Sequence, residues 1–240
     1  MSLTIKKLKD PLTVDHVKMS CDKPMHVSPP LPDTPFFWLV VGAPGSGKTN
    51  LLVNLINKVG KFYHKQFERV YFTSPSTHTI AEKLGVHPDN LFSDVSRLQE
   101  ILDINGEYKR ICPHHRALFV FDDMSHILKK LNNQDFLCMI QNRRHYGAHI
   151  LFVAQKLNKI PLEMRTLASH IAMFNTPHNT EWKVLDDEFN FTSSSYSSMR
   201  RHIYRDPHDF LFLDLNGQKM YRNFSEIISV KDKTDEPIEE

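Results

Sequence analysis

Glycine and cysteine are scarce in this chain, at 8 and 3 of 240 residues. Cys21, Cys112 and Cys138 stand far apart and form no C-x-x-C pair, so neither a disulfide framework nor a zinc ribbon is indicated. Reduced, buried or idle thiols are the expectation. The 14 histidines do not supply a metal centre either. The nearest pairs, His114 with His115 and His145 with His149, have no Cys or third His at ligand spacing.

Long hydrophobic runs are missing as well. The longest, Phe36 to Val41 and Ala117 to Phe121, fall far short of the roughly 18 to 20 apolar residues that span a bilayer, so no membrane insertion is expected. The opening residues MSLTIKKLKDPLTV hold lysines but no apolar segment with a cleavage signature, and an intracellular, unsecreted protein is expected. An excess of one charge is also absent, since 30 Lys and Arg meet 28 Asp and Glu for a net of +2. That excludes a uniformly basic nucleic-acid coat; any DNA contact must be local or built by assembly. No Gly, Ser or Gln tract dominates, which excludes wholesale disorder, and 40% hydrophobic content suits a folded domain.

Three parts are legible in what is present. Residues 1–34 combine lysines with PMHVSPPLPDTP, whose prolines favour extended backbone, and read as an arm. Residues 35–230 carry the periodicity of a domain. In 231–240 two Lys face five acidic residues, the composition of a solvated, disordered tail.

Within the domain, apolar runs at Phe36–Val41, Arg69–Thr73, Arg116–Phe121, His149–Ala154 and His170–Phe174 have strand length. Helical spacings lie between them. Leu51, Leu52, Leu55, Ile56 and Val59 run up to Gly60, shorter patterns cover Ile80–Leu84 and Val95–Ile104, and Gln134–His145 stops at Gly147. A further short helix opens after Pro161. Continuous apolar strands alternating with helices predict an α/β fold with a mainly parallel sheet covered on both faces. DFLFLDL and QKMYRNF flank Asn216-Gly217, which predicts a C-terminal antiparallel hairpin. TSSSYSS at 192–198 reads as a loop.

Glycine is concentrated where a motif uses it. GAPGSGKT, comprising Gly42, Ala43, Pro44, Gly45, Ser46, Gly47, Lys48 and Thr49, matches G-x-x-x-x-G-K-[ST] in full, between a buried strand and a helix. A chance match in a chain of this size has odds on the order of 1 in 100. Glycines let backbone N–H groups converge on phosphate oxygens, and the helix N-terminus adds partial positive charge. Lys48 would reach the β- and γ-phosphates of ATP, and the Thr49 hydroxyl would bind Mg2+.

Leu118 to Phe121 lead into Asp122 and Asp123, an acid pair at the end of a core strand. Asp122 fits a magnesium ligand, directly or through water, and Asp123 a general base for the attacking water; a helix N-cap is the alternative use of such a pair. Gln155 ends the next strand at the same rim of a parallel sheet, where ligands bind. It could sense the γ-phosphate or be a plain polar terminus. Arg143 and Arg144 close the helix before that strand, which suits either the helix dipole or an arginine finger offered to a neighbouring subunit.

The succession GAPGSGKTN, LFVFDDM, NRRHYGAHILFVAQ and IPLEMRTLASHIAMF resembles the FtsK-HerA superfamily, most closely the poxvirus-type genome-packaging ATPases of large DNA viruses and virophages. The likeness covers roughly Phe36 to Phe224, and its most specific element is RRHYG leading into the strand that ends at Gln155. It implies a RecA-like P-loop NTPase core and a homo-oligomeric ring, usually a hexamer, that pulls double-stranded DNA into a preformed capsid. Lys48 and Thr49 would then meet phosphates and magnesium, Asp122 the metal, Asp123 the place where the superfamily often has Glu, Gln155 the sensor, and Arg143 or Arg144 the finger. The resemblance also implies portal or vertex proteins as capsid partners, and the host cytoplasm, viral factory or virion as the place of action.

Arg165 falls where such enzymes often carry an arginine, or simply on a surface helix. Arg200, Arg201 and Arg205 form a basic cluster that a ring would concentrate along DNA, or a solvated loop. A small-molecule P-loop kinase is the alternative from another class, and it would need an arginine-rich lid. A non-hydrolysing scaffold would be expected to lack Lys48, Thr49 or the acid pair, and all are present. A motor for recombination or conjugation would share the same core chemistry.

Overall fold

A computed structural model describes residues 24–57, 62–75, 83–124, 134–189 and 196–228. The strands are β1 (Phe37–Val41), β2 (Arg69–Thr73), β3 (Leu91–Phe92), β4 (Ala117–Asp122), β5 (Ala148–Ala154), β6 (His170–Phe174), β7 (Phe210–Asp214), β8 (Lys219–Arg222) and β9 (Glu226–Ile228). They form a nine-stranded sheet in the order β3-β2-β4-β5-β1-β6-β7-β8-β9 among the described residues. Pairing is parallel from β3 across to β6 and antiparallel from β6 to β9.

The helices are α1 (Lys48–Ile56), α2 (Leu98–Ile111), α3 (Gln134–Gln141), α4 (Arg143–Tyr146), α5 (Leu162–Arg165), α6 (Asn179–Phe189) and α7 (Tyr196–Ile203). Strand side chains alternate between two apolar cores, because successive Cβ atoms point to opposite faces. Phe37, Leu39 and Val41 join Phe119, Phe121 and Phe152 beneath α2, α3, α5 and α6. Trp38 and Val40 join Leu118, Val120, Leu151 and Phe212 beneath Leu52 and Leu55 of α1. Both faces are thus covered, and the apolar character of β1, β4, β5 and β6, broken only by Asp122, His149 and His170 near strand ends, is required.

Several expectations are adjusted. The arm boundary at residue 34 falls inside packed structure: Met25 and Leu31 are buried in the second core, and the Tyr63 hydroxyl donates to the Pro32 carbonyl at 2.8 Å. The single helix expected over Gln134–His145 is two, broken at Asn142, whose side chain donates to the Cys138 carbonyl at 3.0 Å. The C-terminal hairpin exists, but Asp214 pairs with Lys219, so the turn takes four residues and its left-handed residue is Gln218 (φ 51°) rather than Gly217. Tyr196 to Ser198, expected in a loop, begin α7. The stop at Gly60, residues 80–82 and the tail at 231–240 lie outside the described residues.

Candidate active site

Parallel strands bring their C-terminal ends to one rim, and the phosphate loop, the acid pair and Gln155 all stand there. Val41 pairs with Ala154 and Asp122 with Val153. The rim is continued in backbone hydrogen bonds, from Gly42 N to Ala154 O at 3.1 Å and from Asp123 N to Val153 O at 3.2 Å. Because β5 lies between β1 and β4, the acid pair stands two strands from the phosphate loop, about 10 Å at the usual strand spacing. Gln155 is interposed between them.

The phosphate loop turns tightly onto α1. A Cβ at Gly42 would come within 2.5 Å of Ser46 Oγ and 2.8 Å of Phe174 Cβ, so only glycine fits. Gly47 caps α1 at φ 110°, a conformation that suits glycine alone. The first turn of α1 carries no acidic residue, which leaves its partial positive charge uncompensated by the helix itself. Lys48 Nζ folds back to donate to the carbonyls of Gly42 (2.6 Å) and Ala43 (2.9 Å). Ser46 Oγ is buried with no protein partner. Thr49 is exposed in the same first turn.

Electrostatics are tense at this rim. Burial lowers the Lys48 ammonium below its ordinary pKa, while Asp122 and Asp123 pull it back up. Burial raises the Asp122 carboxyl, the neighbouring Asp123 raises it further, and Lys48 opposes both. A cation beside Asp122 would relieve the like-charge repulsion, and a polyanion at the loop would engage Lys48. An exposed hydroxyl, a partly desolvated carboxylate, a glycine cradle and an orphaned serine therefore fit a magnesium-bound nucleoside triphosphate.

Asp123 takes φ 54°, a left-handed conformation uncommon outside glycine. Gln155 Nε2 donates to both of its carboxylate oxygens at 3.2 Å. The two residues that sequence placed on separate strands are thus in direct contact.

Arg143 and Arg144 are at the other rim. Arg143 donates to the carbonyls of Pro35 (3.3 Å) and Ile140 (2.8 Å), so it clamps the entry to β1, and burial beside Arg144 lowers its pKa. Arg144 is exposed. The length of β5 separates both from the phosphate loop of their own chain, about 20 Å at 3.3 Å per residue.

Arg165 is built into the fold: its guanidinium pairs with Glu188 of α6 and donates to the Ile160 carbonyl. Of the basic cluster, Arg200 donates to Asn175 Oδ1 at 3.1 Å, and Arg205 donates to the His202 carbonyl and faces Glu226 at 3.5 Å. Part of that cluster serves the fold. Sequence reasoning missed His208, whose ring touches the phosphate loop, and Glu181, which accepts from Leu157 N at 2.5 Å just beyond Gln155. No motif marks either residue.

The family model for poxvirus A32 protein matches residues 28–194, well over half of the chain. The chain belongs to that family. Among solved structures, its fold is similar to the genome-packaging NTPase B204 of Sulfolobus turreted icosahedral virus 2 in complex with sulfate. That match has TM-score 0.63 and 13% identity, covering 82% of this chain and 98% of B204. B204 in complex with AMPPCP matches with TM-score 0.58 and 14% identity over 78% of this chain and 96% of that one. The cytoplasmic domain of the type VII secretion ATPase EccC of Thermomonospora curvata gives TM-score 0.54 and 16% identity, covering 83% of this chain but 26% of EccC. No curated protein sequence matches the chain. The A32 family match and the α/β sheet agree with the FtsK-HerA resemblance carried by the motifs. No described helix is long and apolar enough to cross a membrane.

Proposed function

We propose that this A32-family protein is an ATP-hydrolysing motor that translocates double-stranded viral DNA into a capsid. The observation that carries the reading is the convergence at one rim of the phosphate loop, Asp122 and a Gln155–Asp123 pair, in a chain of this family. B204, a genome-packaging NTPase by description, supports the same assignment through its fold.

Backbone N–H groups of Gly45, Gly47, Lys48 and Thr49 and the Lys48 ammonium bind the triphosphate, with Lys48 exchanging two loop carbonyls for phosphate oxygens while the Ser46 N–H donates to the Ala43 carbonyl at 3.1 Å. Thr49 and Asp122 would hold magnesium, which would supply neutralisation of charge on the phosphates when bound. Asp123 receives a proton from the attacking water, and Gln155 holds the Asp123 carboxylate in orientation for that water. Arg144, exposed at the opposite rim, acts as a finger on a neighbouring subunit in a homo-oligomeric ring, taken as a hexamer. The ring would meet capsid portal or vertex proteins in the host cytoplasm or viral factory, with the virion as a further location.

The test is steady-state phosphate release by the purified chain across a range of protein concentrations, with and without double-stranded DNA. A motor that works as a ring shows specific activity rising with both, and Lys48→Ala abolishes it. Activity indifferent to DNA and to concentration, with phosphate transferred to a small acceptor, would instead establish a kinase.

A further inference from the structure

We propose that His208 is a positioning residue of the phosphate loop, holding the Ser46–Gly47 peptide so that its N–H faces the phosphates. The proposal rests on the nucleotide-site reading above and adds a residue 162 positions from the loop it serves. His208 Nδ1 lies 3.0 Å from the Ser46 carbonyl oxygen. A carbonyl only accepts, so Nδ1 carries the hydrogen and donates. The peptide is planar and trans, so the Ser46 C=O and the Gly47 N–H point in opposite directions. Anchoring the carbonyl on the histidine turns the N–H away from it, back across the loop.

Such an anchor is needed because Gly47, at φ 110°, has no side chain to fix its peptide plane. His208 and Phe174 close the space beside it. A Cβ at Gly47 would meet His208 Nδ1 and Phe174 Cε1, each at 3.2 Å. A glycine that the motif requires for close approach is thus steadied from outside by a ring and a hydrogen bond.

His208 is itself fixed. It occupies a left-handed conformation, φ 74°, in the turn between α7 and β7. The next residue, Asp209, is buried and accepts from Arg205 N (3.0 Å), Asp206 N (2.8 Å), Arg222 Nη2 (2.8 Å) and Asn223 Nδ2 (2.8 Å). Burial alone would raise the Asp209 carboxyl, but these donors outweigh it and hold its pKa at about 2. A carboxylate with this many partners makes the turn rigid, and the turn presents His208 at one place.

Two substitutions isolate the hydrogen bond. Glycine and asparagine both tolerate the left-handed backbone; His208→Gly removes the donor, and His208→Asn keeps an N–H at the position of Nδ1. Dissociation constants for fluorescent N-methylanthraniloyl ATP and ADP with magnesium, at pH 8, are read beside thermal melting. His208→Gly is expected to weaken both nucleotides about 5- to 10-fold, and His208→Asn to stay within about 2-fold of the parent.

Should the glycine variant fail to fold, Nε2-methylhistidine at position 208 carries the test: its neutral ring keeps the shape but has no Nδ1–H, and it must weaken binding as stated. Parental affinity in the donor-free variant that folds, or an asparagine variant as weak as it, overturns the proposal. Lys48→Ala separates this from failure of the site reading. If Lys48→Ala binds nucleotide like the parent, the site is wrong; if it alone loses binding, only the role of His208 is.

Discussion

At the scale of single residues, Asp123 shows how backbone conformation selects chemistry. Its φ of 54° is costly for most side chains, by about 1 kcal/mol or more, and strain of this kind collects at functional sites. Asp and Asn tolerate the left-handed region better than longer acids do, because a short polar side chain bonds locally. The conformation therefore favours aspartate over a longer acid at position 123. It also makes Asp123→Asn a clean substitution, since shape and backbone preference are retained while the proton acceptor is lost. Melting temperature and nucleotide affinity are expected to stay near the parent, and phosphate release to fall at least about 100-fold. Unchanged turnover would remove Asp123 from the base role. That Lys48, Thr49, Asp122 and Gln155 share one rim was legible because their placement depends on position along one strand or one turn. His208 was not, because its partner is a main-chain carbonyl that any residue could supply.

Among the elements, the connection from β5 to α6 determines how Gln155 is held. Beyond Gln155 the chain makes a single 3-10 turn, Leu157–Lys159, whose first N–H is bound by Glu181 of α6. Arg165 at the end of α5 reaches the Ile160 carbonyl and pairs with Glu188, with side chains only 11% and 16% exposed. Removing one partner strands a buried charge, so Arg165→Met is expected to destabilise the domain by about 3 kcal/mol in urea unfolding. Arg165→Met with Glu188→Leu should recover most of that loss. If the double variant is no more stable than the single, the ion pair is not what holds α5 to α6. Five core strands and their parallel direction were legible here, since a strand covered on both faces reads as an apolar run; the order of the strands, the two-residue β3 and the edge strand β9 were not. α6 and α7 were not. Asn179–Phe189 buries Glu181, Trp182 and Leu185, with Val184 and Phe189 partly covered, on a mostly polar sequence, and the serines before α7 obscured its start. The Asn-Gly signal located the β7–β8 hairpin, but pairing of Asp214 with Lys219, and acceptance of Gly217 N by Asp214 at 2.8 Å, lengthened the turn.

For the whole molecule, the sheet has a rim of motifs and a rim of half-buried cations and buried imidazoles, and the two respond to pH for different reasons. The residues proposed for hydrolysis lie at the strand C-termini, so the finger role proposed for Arg144, at the opposite end, would require the phosphate loop of another copy of the chain. Near that end His149 packs edge-on against Phe36 and Phe67. Burial, reinforced by Arg116, Lys109 and Arg143, holds its pKa down to about 3. His170, stacked on Phe212, is held at about 4, where burial and Arg143 outweigh the opposing pull of Asp214. Both are neutral in the folded chain at pH 5, whereas the unfolded chain protonates them near the ordinary value of about 6.5. Each folded pKa is depressed, so the unfolded state binds more protons. The stability they allow is complete above about 6.5 and is lost as the pH falls toward 4, by up to about 1.4 kcal/mol per pH unit for each histidine. His149→Phe, placed among aromatic neighbours, should remove about half of this acid sensitivity between pH 6 and 4 while leaving nucleotide affinity at pH 7.5 unchanged. A slope of stability against pH identical to the parent's would show that His149 is protonated without loss of packing, and that the acid response of the sheet resides in His170 and the carboxylates.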